Sequence, residues 1–483
     1  MSHVFLLVST GAGAGLTTIT LGMVRALDQL GIRTGFCKPV AQLHDGDPGP
    51  ERSTQLIKKM TAITPPDPIA LSRVKAMLGA GQEELLMEQV IQLYHMSAEG
   101  SDVVIVEGLV ADGHAGYATR LNTAIAHALD AEVLLVSKPE EDLERSIDIA
   151  AHLFGDANGT ALIGVIVNKI GVPEADPSSL DGASHTLSPT QSDDAVNMVR
   201  QRLANSSFHL VAAIPWQANL LAPRTCDIAD YLHAEILHAG EMGSRRVEHV
   251  ALCARTLANT LSVYRPHTLL IFPGDRDDVF VTACMAALNG VALAGILLTG
   301  GLQPSQTVME LCAQAFKTGL PLLLVPHDSF YTAAKVSGRP TEVAVDDLDL
   351  IDKGTNHIVS CLDSGWLKRR CAIERHARLS PAAFRYQLIQ QASQLQRTIV
   401  LPEGDEARTI MAAHHCQQRR VAHCVLLGNP EQIHQAAASQ GVVLDGGVTI
   451  IDPESVRNRY IEPMVKLRQH RGMTSQIAED QLQ

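Results

Sequence analysis

The chain has 483 residues, which at the usual size of about 100–200 residues per domain predicts about three domains. Its 46% hydrophobic and 19% charged residues exclude a mainly disordered protein. Lys and Arg total 39 against 52 Asp and Glu, a net charge of −13, and no long basic run could neutralise a phosphate backbone. Nucleic acid is therefore excluded as a partner.

The 9 cysteines form no CxxC motif, and their odd number argues against a disulfide framework or a zinc ribbon. No histidine pair has the spacing of a zinc helix, so no metal site is predicted. At the N-terminus, the short apolar run Val4–Val8 leads into a glycine turn and not into a cleavage site, which predicts a first strand. We expect a cytoplasmic protein with no tightly bound cofactor.

One stretch resembles a membrane span, because Val279–Leu298 contains no charged residue and is close to the ~20 residues that a span requires. Asn289-Gly290 interrupts it with a turn signal. A helix over Val279–Leu288 followed by a buried strand over Val291–Leu298 accounts for the same residues. No contact with a membrane is predicted.

Residues 1–240 alternate apolar runs with helix-like segments, a pattern that predicts α/β structure with a P-loop-like parallel sheet. Val172–Asn197 is rich in Pro, Ser, Asp and Gly and predicts a surface loop. The predicted strands are Val4–Ser9, Thr34–Pro39, Val103–Glu107, Glu132–Ser137, Ile163–Asn168 and Val211–Ile214.

A second, smaller α/β domain is predicted over residues 241–352, with strands at Leu269–Phe272, Val291–Leu298 and Leu322–Val325. Residues 353–378 have few periodic apolar positions and predict a helix followed by a linker. Because each sheet can be covered by its own helices, we expect residues 1 to about 350 to fold without the rest of the chain.

The third block, residues 379–483, also alternates helices and strands and ends in a helix-like stretch without a terminator. We interpret it as a truncated α/β domain. Its predicted helices are Pro381–Leu395, Glu406–Arg419, Pro430–Gln440 and Pro453–His470, and its predicted strands are Thr398–Leu401, His423–Leu427 and Val448–Ile451.

A glycine-rich motif follows the first strand and precedes the first helix, the context of a phosphate-binding loop. Leu16 stands where a P-loop has the lysine that neutralises a transferring phosphate. The motif is therefore either a degenerate loop with a structural or regulatory role or a true nucleotide site. The candidate binding residues are Gly11, Gly13, Gly15, Thr17 and Thr18.

Charged residues at predicted strand ends give further candidates. Lys38 and Glu107 end two parallel strands, at the edge where such sheets bind ligands, although strand-end charges are also common as solvated caps. Glu403, Asp405 and Arg408 run from a strand end into a helix and could handle an anionic substrate or a proton. Equally, acidic residues in a first helical turn complement the helix dipole.

The sequence resembles long-form bacterial phosphate acetyltransferases over essentially its whole length. The first domain, with Gly15-Leu16-Thr17 in place of Gly-Lys-Thr, resembles the family's dethiobiotin synthetase-like domain, and residues 297–301 resemble its DRTGG-type middle domain. Further motifs resemble the start of the acetyl/butyryl transferase domain. The motifs that carry the resemblance are 38–42, 104–110, 164–169, 297–301, 318–321, 379–388, 399–406, 424–430 and 452–454.

The resemblance implies the reaction acetyl-CoA + phosphate = acetyl phosphate + CoA, by direct attack, with acetyl-CoA and phosphate as small-molecule substrates. It also implies a homo-oligomer, and a transferase domain whose catalytic residues lie beyond Gln483, so that this chain alone is expected to have little activity. One alternative is a regulatory or scaffolding protein that senses a metabolite. A less favoured one is an ATP-dependent ligase of the dethiobiotin type, against which Leu16 argues.

Overall fold

The computed structural model describes residues 3–42, 51–110, 117–140, 142–155, 162–172, 189–204, 206, 208–220, 222–339, 343–373, 379–444 and 446–482. Contacts divide the chain into two compact units, Met1–Arg378 and Leu379–Gln483, and both are built from α/β elements. The α/β class predicted from the sequence is confirmed.

The first sheet has six parallel strands in the order β2-β3-β1-β4-β5-β6. Its central strands are apolar and buried on both faces, as a sheet covered by helices on both sides requires. The strands are β1 (His3–Ser9), β2 (Thr34–Cys37), β3 (Val103–Glu107), β4 (Glu132–Ser137), β5 (Leu162–Ile170) and β6 (His209–Pro215).

Within the described ranges, seven helices lie between the strands of this sheet or beside it. Part of the predicted loop Val172–Asn197, residues 173–188, lies outside the described residues, and the rest is helical from Pro189 onward. The helices are α1 (Leu16–Gln29), α2 (Arg52–Met60), α3 (Leu71–Gly79), α4 (Glu83–Ala98), α5 (Tyr117–Leu129), α6 (Leu143–Phe154) and α7 (Pro189–Leu203).

The middle part of the first unit contains a five-stranded sheet in the order β7-β11-β10-β9-β8, in which only β7 is antiparallel to its neighbour. Two of its strands, β7 (Glu235–His238) and β8 (His249–Leu252), are short and half-exposed and have no clear apolar run. The remaining elements are α8 (Thr225–Leu232), β9 (Thr268–Pro273), α9 (Asp277–Leu288), β10 (Gly295–Thr299), α10 (Gln306–Leu311), α11 (Ala313–Phe316), β11 (Leu322–Leu324) and α12 (Ser329–Ser337).

Two further helices, α13 (Leu348–Cys361) and α14 (Ser364–Cys371), return to the first sheet. Ile358 contacts α1 so closely that a Cβ at Gly22 would lie 2.3 Å from the Ile358 Cγ2 atom. The Asp363 amide donates to the Val211 carbonyl at the edge strand β6. The segment predicted as a helix plus linker therefore contributes to the core of the first domain. Its buried core residues are Ile351, Ile358, Leu362 and Leu367.

The second unit has three parallel strands in the order β12-β13-β14. Its predicted strands match the structure, but the predicted last helix is divided at Arg457. The elements are α15 (Pro381–Leu395), β12 (Thr398–Leu401), α16 (Ala407–Gln418), β13 (His423–Leu427), α17 (Pro430–Ser439), β14 (Val448–Ile451), α18 (Pro453–Val456), α19 (Asn458–Arg468) and α20 (Ser475–Gln481).

None of the described helices is long and apolar enough to cross a bilayer. The uncharged stretch that resembles a span forms α9, a turn at Asn289-Gly290, and β10. Its strand is shorter than predicted, because residues 291–294 precede the ladder with β9.

Candidate functional site

The glycine motif forms the turn between β1 and α1. Gly13 and Gly15 have φ angles of 75° and 82°, in the left-handed region that favours glycine. A Cβ at Gly15 would also lie 2.6 Å from the Asn168 side-chain nitrogen, which donates to the Ala14 carbonyl at 2.9 Å. Both the backbone conformation and the close approach therefore require glycine at position 15.

The backbone amides of this turn are available to a ligand. Among the described residues, none accepts a hydrogen bond from the N–H groups of residues 11–18, whereas the amide of Ile19 already bonds to the Gly15 carbonyl. A run of converging amides at a helix N-terminus is a favourable environment for an anion.

A cavity of about 290 Å³ opens on the turn. The predicted residues Gly11, Gly13, Gly15, Thr17 and Thr18 all line it. The other walls include residues that were not predicted as site residues from the sequence: Arg52 from α2, Asn168 and Lys169 near the end of β5, Trp216 after β6, and Leu350, Gly354 and His357 from α13. Of these, only Asn168-Lys169 carried a signal in the sequence, as part of a family-like motif at a strand end.

Lys169 brings positive charge to the cavity. Burial and the nearby Lys138 lower the pKa of the Lys169 ammonium. An anion in the cavity would oppose both effects, because it would stabilise the charged form of Lys169.

Lys38 and Glu107 are brought together beside the turn, because β2 and β3 are neighbours in the sheet. The Lys38 Nζ donates to Glu107 Oε1 at 2.9 Å and to the Gly108 carbonyl at 2.8 Å, and the two side chains are 3% and 2% exposed. Thr17 and Ser53 hydroxyls also donate to Glu107 Oε1, at 3.4 and 2.6 Å. The two charges are a buried pair and not solvated strand caps.

Leu16 occupies the position of the P-loop lysine and is buried in the apolar core of the first domain. It therefore brings no charge to the phosphate position.

The third group of candidates lies in the second unit, after β12. A Cβ at Gly404 would lie 2.5 Å from the Leu427 carbonyl oxygen, so glycine permits this turn to pack against the end of β13. Glu403, Asp405 and Arg408 are exposed, and none of them forms an ion pair within the described residues. They stay candidate residues.

Comparisons with known proteins cover the whole chain. The family models that match are an AAA domain over residues 3–224, a DRTGG domain over 227–338 and a phosphate acetyl/butaryl transferase over 383–483. The chain is 45% identical to the phosphate acetyltransferase of Pseudomonas aeruginosa, covering 100% of this chain and 68% of that protein. It is 38% identical to the Escherichia coli phosphate acetyltransferase, covering 100% and 69%.

The chain belongs to the phosphate acetyltransferase family. The resemblance stated from the sequence is confirmed, and so is its assignment to a family of transferases. Among solved structures, the septum site-determining protein MinD of Pyrococcus horikoshii, complexed with Mg-ADP, is 18% identical with a TM-score of 0.27, over 46% of this chain and 84% of that chain.

Proposed function

We propose that this member of the phosphate acetyltransferase family uses CoA and phosphate compounds in the reaction acetyl-CoA + phosphate = acetyl phosphate + CoA. The 45% identity to a phosphate acetyltransferase, over the whole of this chain and 68% of that protein, supports this proposal. Towards acetyl-CoA, the CoA sulfur attacks the acetyl carbonyl, and phosphate leaves with the electrons of the broken C–O bond. A base must take the thiol proton, since a thiol of pKa ~8.5 is mostly protonated at neutral pH.

In the second unit, we assign these substrates to the carboxyl edge of the three-stranded sheet. Each of its parallel strands ends in a loop that leads into a helix, so three helix N-termini meet at the carboxyl edge of the sheet. Asn429 and Asp452 cap two of these helices with their own side chains. Arg408, in the first turn of α16, is the cation that we assign to a substrate phosphate there.

We expect Arg408→Ala to weaken CoA binding by about 10- to 100-fold, since hydrogen bonds to charged groups contribute about 1.5–3 kcal/mol. Isothermal titration of CoA into both proteins measures the change. Arg419→Ala is the matched control, because Arg419 lies at the opposite end of the same helix and is also exposed. Equal affinities for the Arg408→Ala and Arg419→Ala proteins would exclude Arg408 from the site.

Formation of acetyl-CoA from acetyl phosphate and CoA tests the reaction itself. A rate that saturates in both substrates would support the proposal for this chain alone. The expectation of little activity, made from the sequence, stays a prediction that the same assay decides. If the chain neither binds CoA nor forms acetyl-CoA, the proposed function is wrong for it.

We propose a second function for the glycine turn, which is to hold an anionic ligand in a regulatory or structural role. The amides of residues 11–18, which have no acceptor among the described residues, and Lys169 in the wall of the same cavity support this assignment. It agrees with the metabolite-sensing alternative for the first domain and needs no ligase activity.

The turn is expected not to hydrolyse ATP, because Leu16 leaves the charge of a transferring phosphate without its neutraliser. Phosphate release from ATP should stay far below about 1 s⁻¹, the lower range of working enzymes. Steady-state phosphate detection checks this, with Leu16→Lys beside the natural protein. Turnover near that rate in the natural chain would contradict the prediction, whereas weak ATP binding would not.

Within the cell, we place the protein in the cytoplasm, in agreement with nine cysteines that are all unpaired. We also propose a homo-oligomer, which sedimentation of the purified chain would test.

A further inference from the structure

P-loop sites usually bind their phosphates together with Mg²⁺, which is held by the loop Ser or Thr hydroxyl and an acidic residue. In this chain the corresponding hydroxyl is that of Thr17, and within the described part of the chain the acidic side chain that it contacts is Glu107.

A cation already lies beside the carboxylate. The Lys38 Nζ is 2.9 Å from Glu107 Oε1 and is fixed by a second bond to the Gly108 carbonyl. The ammonium is almost wholly buried, so it cannot move aside into solvent. A divalent ion next to Thr17 and Glu107 would meet this positive charge at short range, in an interior where charges are weakly screened.

The oxygen atoms around the position are also engaged. Glu107 Oε1 accepts from Lys38, Ser53 and Thr17, and the Thr17 and Ser53 hydroxyls are 3.0 Å apart. Glu51 is a second carboxylate nearby, but its two oxygens accept from Ser53 and Thr54 and cap α2.

Among the described carboxylates around Thr17, one oxygen has no hydrogen-bond partner. Glu107 Oε2 is buried and has no hydrogen-bond partner within the described residues. A single oxygen of a carboxylate that already pairs with an ammonium is a poor ligand for Mg²⁺, which prefers a full octahedron of oxygens. Among the described residues, no group of three or more His, Cys, Asp or Glu side chains could hold a metal ion. The described residues around Thr17 and Glu107 do not fit a divalent cation.

We propose that the glycine turn takes its anionic ligand without a divalent cation, because the Lys38 ammonium holds the cation position beside Glu107 and Thr17. The expected ligand class is a small phosphate or carboxylate compound that binds as the free anion, in contrast to a magnesium–nucleoside triphosphate complex. The inference rests on the proposed anion site at this turn, but the exclusion of the metal can be tested separately.

Direct metal binding is measured with Mn²⁺, whose free ion is counted by electron paramagnetic resonance. The natural protein and its Thr17→Val variant are expected to bind the same number of Mn²⁺ ions, with and without inorganic phosphate. Thr17→Val removes the hydroxyl at nearly constant volume and leaves the Lys38–Glu107 pair intact. A Mn²⁺ ion that the natural protein binds and the Thr17→Val protein loses would overturn the proposal.

Lys38→Met gives the complementary result. Removing the ammonium should allow weak Mn²⁺ binding beside Glu107 and Thr17, and Glu107→Gln in the same protein should abolish that binding. Folding of each variant is checked by the fluorescence of Trp216 and Trp366. If Lys38→Met folds and gains no Mn²⁺ site, Lys38 does not hold the cation position and the proposal is wrong.

Inorganic phosphate tests the ligand. Its dissociation constant is expected to agree within about twofold in EDTA and in millimolar Mg²⁺, and to rise at least tenfold in Lys169→Ala. Affinity that is more than tenfold higher in Mg²⁺ would overturn the metal-free site. If phosphate binds under neither condition, the proposed anion site is wrong, and the Mn²⁺ comparison alone decides whether the metal is excluded.

Discussion

A fragment that ends at residue 350 is expected to be largely insoluble or unfolded, whereas the fragment 1–378 should fold. The shorter fragment lacks nearly all of α13 and the whole of α14, and with them four buried core residues of the first domain. At about 1.5–3 kcal/mol for each buried aliphatic side chain, the loss is about 6–12 kcal/mol, comparable with the whole stability of a typical domain.

Polar contacts strengthen the same conclusion. Arg25 on α1 donates to Asp352 and Asn356 on α13, at 2.7 and 2.9 Å, and His357 lies 3.0 Å from the Pro215 carbonyl. Without α13, the faces of α1 and β6 that it covers become exposed, which favours aggregation.

Soluble yield and thermal unfolding of the fragments 1–350 and 1–378 measure this effect. Point variants of the full chain provide a matched pair, because Ile358→Ala removes a buried side chain of α13 and Leu348→Ala removes one that is 42% exposed. We expect a loss of about 2–5 kcal/mol for Ile358→Ala and a small change for Leu348→Ala. A soluble 1–350 fragment that unfolds like 1–378 would contradict the role given to α13.

The sequence predicts that residues 1 to about 350 fold alone, whereas the structure places α13 and α14 in the core of the first domain. This difference has a physical reason. The apolar run of β3 predicts its bounds from local pattern alone, and the structure has the same bounds, Val103–Glu107. The α14 segment, by contrast, contains Lys368, Arg369 and Arg370, and its single wholly buried residue is Leu367. Its sequence therefore does not show the apolar periodicity of a core helix. Its partners are far away in the chain, and no local pattern reports them.

The residues of the candidate site also form two groups, those that the sequence could predict and those that only tertiary packing brings to the cavity. The glycines and Leu16 could be assigned from spacing, and Lys38 and Glu107 from their places at strand ends. Their contact depends on β2 lying next to β3, although 65 residues separate the two strands in the sequence. Trp216 and His357 enter the cavity only through tertiary packing, so pattern analysis could not select them.

Arg370→Met is the second variant with a large expected effect, because Arg370 pairs with a buried carboxylate. The Glu132 side chain is 4% exposed and receives hydrogen bonds from His3 at 2.7 Å and from the Arg370 guanidinium. Burial alone would raise the pKa of Glu132, but the hydrogen bonds and charges of these two partners lower it to about 2. Removing Arg370 leaves the buried Glu132 carboxylate with only part of the hydrogen bonds and positive charge that offset its burial. The expected loss of folding free energy is about 3–5 kcal/mol.

The pair also predicts how stability depends on pH. Because the pKa of Glu132 is lower in the folded protein than the ordinary value of 4.5, the pair stabilises the fold above that value. The contribution, about 2 kcal/mol once the partial exposure of Arg370 is allowed for, is lost as the pH falls from about 5 to about 2. In Arg370→Met the pKa of Glu132 moves back towards 4.5, so this variant should lose less stability on acidification than the natural protein.

Urea unfolding at pH 7 and at pH 3 measures both effects. The chain has 2 tryptophans, Trp216 and Trp366, and both lie in the first domain, so their fluorescence reports the unfolding of that domain. Arg369→Met is the control, because Arg369 is the neighbouring arginine on α14 and is exposed. Substitutions of exposed residues usually shift stability by less than about 0.5 kcal/mol. If the two variants lose equal stability at pH 7, or Arg370→Met keeps the full acid dependence, then Arg370 does not hold α14 to β4 through Glu132.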